Sequence, residues 1–93
     1  MDVLCAEIEL HLPECSSLKE KRTVVKGTKD RIRERFGVSI AELDYHDLWQ
    51  RTLLGVALVS SDARASESLF GRLREYLYRD PRMTVLRFDE EWR

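Results

Sequence analysis

The sequence has little of what punctuates, staples or anchors a chain. With two prolines and four glycines in 93 residues, it has no Gly/Pro-rich linker and no low-complexity tract. One domain spanning residues 1–93 is therefore expected, large enough for a single modest core. The two cysteines, Cys5 and Cys15, lack CxxC spacing and are read as free thiols rather than a disulfide or metal pair. No apolar run approaches the ~20 residues that span a bilayer. Met1 leads directly into Leu4, Ile8 and Leu10 alternating with Glu7 and Glu9. That is not the pattern of a signal or transit peptide, and a cytoplasmic location is the expectation.

A strong net charge is missing as well, but the total of -1 hides a division. From Ser17 to Phe36 there are eight Lys/Arg against three acids, whereas the rest of the chain has eight against fourteen. A helix of +5 is thus carried on a body of -6. Such asymmetry suits nucleic-acid or acidic-protein contacts, with a solvated helix face as the plainer alternative.

This charge gathers behind Ser16-Ser17-Leu18-Lys19-Glu20-Lys21-Arg22. Ser17 is placed to cap a helix, and Glu20 to reach back to the Ser17 amide in a capping box. Lys19, Lys21 and Arg22 crowd the first turns, where the helix dipole already places partial positive charge. An anion there would relieve the crowding.

The periodicities set the order of elements. Residues 3–12 alternate, with Leu4, Ala6, Ile8, Leu10 and Leu12 on one side and Cys5, Glu7, Glu9 and His11 on the other. This is the period of a half-buried strand, and Pro13 ends it. A helix over about 18–36 carries Leu18, Val25, Thr28, Ile32 and Phe36 on its apolar stripe, with Lys21 and Val24 beside it. Gly37 is its C-cap, and Gly27 implies close packing over a sheet. Strands over about 38–43 and 49–60 flank a polar bend at 44–47. Ser61 or Asp62 caps a helix over about 63–78 that turns Ser66, Leu69, Phe70, Leu73 and Leu77 inward. A last strand covers about 83–89, with Trp92 in a short tail.

The order βαββαβ predicts an α+β, ferredoxin-like split sandwich. It has a four-stranded antiparallel sheet in order 4-1-3-2 and two helices on one face. The expected core is Leu4, Ala6, Ile8, Leu10, Val25, Ile32, Phe36, Leu69, Phe70 and Leu73. The same topology brings the start of the first helix and the segment Tyr45 to Arg51 to one end of the sheet.

Four stretches carry a family resemblance: Ser17-Leu18-Lys19-Glu20-Lys21-Arg22, Val38-Ser39-Ile40-Ala41-Glu42, Asp47-Leu48-Trp49-Gln50-Arg51 and Gly55-Val56-Ala57. In this order they resemble the small bacterial YlxP-like family, a domain of unknown function. The resemblance implies a ferredoxin-like fold and a cytosolic bacterial protein. Members are often encoded beside translation-initiation and ribosome-maturation genes, which implies an RNA- or ribosome-related role. The resemblance brings no catalytic residue.

No enzyme chemistry is legible. The loop Pro13-Glu14-Cys15-Ser16 lacks the glycines and arginine of an acylphosphatase loop, and nothing orients a Cys15/His46 pair. Same-face residues of the first strand are ~6.6 Å apart, too far for Cys5, Glu7, Glu9 and His11 to share a metal ion readily. No cofactor is expected. RNA modules of this topology stack bases on aromatics of the two central strands, which this sheet lacks. RNA, in structured or ribosomal form, would instead meet the basic helix and the hairpin end. Lys19, Lys21, Arg22, Lys26, Lys29 and Arg33 are the expected phosphate ligands, and Trp49 and Arg51 the expected stacking or clamping pair. A protein adaptor docking an acidic partner is the competing reading, and a small hydrolase at the Lys19/Trp49 end the third. The third strand is apolar on both faces, with Leu53, Ala57 and Val59 on one and Leu54, Val56 and Leu58 on the other. That surplus predicts a homodimer through Leu54, Val56 and Leu58.

Overall fold

Alternation in the first strand decides the layout. The computed structural model describes Met1–Arg93 and runs β1 (Val3–His11), α1 (Leu18–Phe36), β2 (Ser39–Asp44), β3 (Arg51–Val59), α2 (Ala63–Tyr78) and β4 (Thr84–Trp92). The four strands form one antiparallel sheet in the order β2-β3-β1-β4, which is 4-1-3-2 counted from the opposite edge. β1 lies inside it, with Ile8 opposite Leu54 of β3 on one side and Phe88 of β4 on the other. The even-numbered residues Leu4, Ala6, Ile8 and Leu10 are buried. They share one core with Leu54 and Val56 of β3, Val25, Ile32 and Phe36 of α1, and Phe70, Leu73 and Leu77 of α2. Each fully buried large side chain contributes ~1.5–3 kcal/mol.

Local chemistry fixes the helix ends. The Ser17 hydroxyl accepts from the Glu20 amide at 3.1 Å, capping α1. The returning Glu20 carboxylate is displaced by one residue from the expected box. It accepts from the Ser16 amide at 2.6 Å and the Ser16 hydroxyl at 2.8 Å, which lowers its pKa. Asp62 caps α2 by accepting from the Arg64 and Ala65 amides. Gly37 ends α1 at φ 65° with its amide on the Arg33 carbonyl, a left-handed conformation that a Cβ penalises.

Four expectations change. A Cβ on Gly27 would meet only the Arg31 guanidinium, at 3.1 Å, so this glycine marks no close approach to the sheet. β4 continues to Trp92 because Trp92 pairs with Leu4, and Val3 and Arg93 exchange backbone hydrogen bonds of 2.7 and 2.8 Å. An edge strand needs only one apolar side, which is why Asp89-Glu90-Glu91 misleadingly resembles a polar tail. Leu69 is half-buried rather than central. Most consequentially, Leu54 is 0% and Val56 3% exposed, with Leu58 packed against the core. These three face the helices and are not available to a second chain.

Two substitutions test this frame in opposite directions. Gly37→Ala is expected to cost about 1 kcal/mol. Ser66→Ala removes a buried hydroxyl that has no hydrogen-bond partner and is expected to stabilise by about 1 kcal/mol. For a domain of this size each corresponds to a shift of roughly 4–8 °C in Tm. Thermal unfolding in which both variants move the same way would contradict the assignment.

Candidate functional site

Lys21 falls at helical spacing with Val25, Thr28, Ile32 and Phe36, and all five are buried in α1. Lys21 is 0% exposed. Its ammonium reaches Glu42 Oε2 at 2.7 Å, the Tyr45 carbonyl at 2.8 Å and the His46 carbonyl at 3.4 Å. Three N–H donors thus meet three acceptors. Glu42 lies on the helix-covered side of β2 and also accepts from the Thr52 hydroxyl at 2.6 Å. Burial raises its pKa, but the hydrogen bonds from Lys21 and Thr52 and the charges of Lys21 and His46 outweigh burial and leave it lowered. The network is therefore charge-paired and hydrogen-bonded, which is what a buried ammonium needs.

This network holds the β2–β3 loop. Tyr45 stands at φ 64°, uncommon for a residue with a side chain. Its amide donates to Asp44 Oδ1 at 2.7 Å, and its carbonyl takes both Lys21 and the Leu48 amide. At the other end of the loop the Gln50 side chain donates to the Pro13 and Cys15 carbonyls at 3.1 and 3.2 Å. The Gln50 carbonyl accepts from the Leu12 amide at 2.9 Å. The expected meeting of the helix start and the hairpin is thus present. It is made by hydrogen bonds to backbone carbonyls on both sides of an exposed tip, on which Leu48 is 47% and Trp49 53% exposed.

The structure divides the residues expected to meet RNA. Lys21 is enclosed and cannot reach a phosphate. Arg51 is held by Glu9, with its Nε at 2.9 Å, and its guanidinium lies 4.8 Å from the Tyr45 ring centroid. It braces the sheet end rather than standing free as a clamp. The other five, Lys19, Arg22, Lys26, Lys29 and Arg33, fall at i, i+3, i+7, i+10 and i+14. They form one stripe running about 21 Å along α1. Lys26 and Arg33 both pair with Asp30 at 3.0 Å, and Arg33 also donates to the Ile40 carbonyl of β2 at 3.3 Å. Lys19, Arg22 and Lys29 join no ion pair, and the first two are exposed. Trp49 lies on the loop whose Tyr45 and His46 carbonyls are held by Lys21, in the same first turns of α1 as Lys19 and Arg22.

Sequence reasoning missed the ion pairs on the open sheet face. Glu9 is only 8% exposed, between Arg51 and Arg87. Arg87 also meets Glu7 at 3.6 Å and Asp89 at 2.6 Å. These pairs occupy the carboxylates of the β1 polar row. Beside them lies a trough of about 590 Å³ floored by Cys5, Gly55 and Ala57 and rimmed by Leu43 and Arg87. Cys15 is buried, and burial followed by the charge of Glu20 raises its pKa. A thiol kept protonated is a poor nucleophile, so the geometry does not favour a hydrolase built on it.

A model of the family described as "Protein of unknown function (DUF503)" matches residues 3–90. The chain is also 38% identical over 87 residues to the "Uncharacterized protein YlxP" of Bacillus subtilis (strain 168). That alignment covers 94% of this chain and 95% of the relative.

Removing the enclosed ammonium tests the network. Lys21→Met is expected to cost about 3 kcal/mol at pH 7, since it leaves Glu42 and two loop carbonyls without their partner. A carboxylate whose folded pKa is lowered adds stability above its ordinary value of 4.5. That contribution is lost as pH falls through the folded value. The gap between wild type and Lys21→Met should therefore narrow below pH 4.5. Urea unfolding showing an unchanged gap down to pH 3 would exclude the pairing.

Proposed function

The chain belongs to this family of proteins of unknown function, and from that premise we propose that it is a non-catalytic binding module that engages structured RNA through the outer stripe of α1. The observation that carries this reading is the stripe itself. Five cations are aligned over about 21 Å, three of them outside any ion pair, on a chain whose remainder is net acidic. Evenly stepped cations suit the regular charge of a phosphate backbone better than the scattered carboxylates of a protein surface. The open sheet face supplies no aromatic pair for bases, so the contact is one of shape and phosphate.

Self-association is a separate reading, supported by the open sheet face. Its β2–β3 half presents Leu43 at 50% and Val59 at 59% exposure, with Leu53 and Ala57 half-buried between them. On the other half, Glu7, Glu9, Asp89 and Glu91 are paired within the chain to Arg51, Arg87 and Arg93. A covering surface would therefore strand no lone charge. A second copy, apolar half against apolar half, is the occupant that this self-complementarity fits.

Two measurements decide these readings. In fluorescence anisotropy with an RNA stem-loop, log K against log salt should have a slope of about -3, one near-unit step per unpaired cation. The triple substitution Lys19→Glu/Arg22→Glu/Lys29→Glu should abolish binding. Equal binding by variant and wild type would reduce the stripe to a solvated face. Ribonuclease-insensitive capture of an acidic protein, lost in the triple variant, would favour an adaptor. For the open face, sedimentation should give about twice the 11.0 kDa chain mass at tens of micromolar. Val59→Asp should return it to one chain. A wild type that sediments only as a single chain ends the dimer reading.

A further inference from the structure

The loop held by Lys21 carries an exposed tryptophan. Of the two tryptophans, Trp92 donates its indole N–H to Glu67 at 3.3 Å, whereas the Trp49 indole has no hydrogen-bond partner and half its surface is open. Its ring is therefore free to stack on a flat partner. Trp49 also does not sit on a loose tip. Four residues before it, Tyr45 is fixed through its carbonyl by Lys21. One residue after it, Gln50 is fixed through its side chain and its carbonyl to Pro13, Cys15 and Leu12. The loop's ordering cost is therefore met in the free protein.

We propose that Trp49 is a preformed stacking platform for one unpaired nucleobase, so that the protein recognises RNA at a junction between duplex and single strand. This rests on the RNA reading above and adds the ligand's form. Lys19 and Arg22 stand either side of Lys21 in the first turns of α1, and the Lys21 ammonium is bonded to this loop, so the unpaired cations belong to the same turn that holds it. Lys26, Lys29 and Arg33 continue from that turn along the helix. A single aromatic plane beside cations that track a backbone is the combination that holds unpaired nucleotides. A duplex can use the stripe but cannot present a base face to Trp49 except at an end or bulge. A membrane surface fits less well, because Leu48 and Trp49 are the only exposed large apolar side chains on this loop.

The test uses the full chain carrying Trp92→Phe, so that Trp49 is the sole tryptophan and is excited selectively over the three tyrosines, and two RNAs: a blunt hairpin and the same hairpin with a three-nucleotide 3′ overhang. The overhang is expected to bind roughly tenfold more tightly and to quench the indole. Trp49→Ala should lose that increment while keeping the affinity for the blunt hairpin, and Trp49→Phe should keep part of it. If the blunt hairpin binds but the overhang adds neither affinity nor quenching, the platform is refuted and the stripe survives. If neither RNA binds, both readings fall. An equal loss on both RNAs in Trp49→Ala would show a merely structural role. Binding of phosphatidylserine vesicles that depends on Trp49, without RNA binding, would assign the tip to a membrane and overturn the proposal.

Discussion

A single ammonium group organises the functional end of this protein. Lys21 lies where an apolar residue would ordinarily complete the inner stripe of α1, and enclosing it is tolerable only because its three protons are matched. One acceptor is a carboxylate on β2; the other two are main-chain carbonyls of the following loop. Helix, strand and loop therefore depend on the same nitrogen. The interaction need not add much net stability, since enclosed ion pairs often do no better than well-packed hydrocarbon. Its contribution is geometrical: it specifies one conformation for a loop that includes a left-handed tyrosine.

The consequence is a division of labour among neighbouring cations. In the first turns of α1, Lys21 points inward and is structural, while Lys19 and Arg22 point outward and stay available. Three basic residues within four positions thus serve two purposes, separated only by the 100° step of the helix. Arg51 repeats the pattern on the sheet. It lies beside the exposed tip, yet its guanidinium is committed to Glu9 and the Tyr45 ring.

Much of this was legible and some was not, for identifiable reasons. Period-two and helical patterns located every element, because burial on one side imposes them on any half-covered strand or helix. The enclosure of Lys21 was also readable: it is four residues before Val25 and seven before Thr28. Charge type drew attention away from that spacing. The face of β3 was harder. Leu53 and Leu54 are chemically identical, and only pairing with β1 decides which meets the helices: Leu54 sits opposite Ile8, and Leu53 opposite Glu9. The sheet-face ion pairs were hidden for a related reason, since Arg51 and Arg87 reach Glu9 across strands far apart in sequence.

The edges of the sheet carry a final implication. On one side β2 has only six residues, its register slips before Asp44, and the Arg33 side chain occupies its Ile40 carbonyl. On the other, β4 is crowded with charged residues as far as Trp92. β2 is too short and irregular, and β4, though nine residues long, carries Arg87, Asp89, Glu90 and Glu91, features that disfavour strand addition by a passing peptide. Both edges are thereby blunted against templated growth. That property disfavours fibrillar self-templating and leaves the faces and loop tips as the more receptive surfaces.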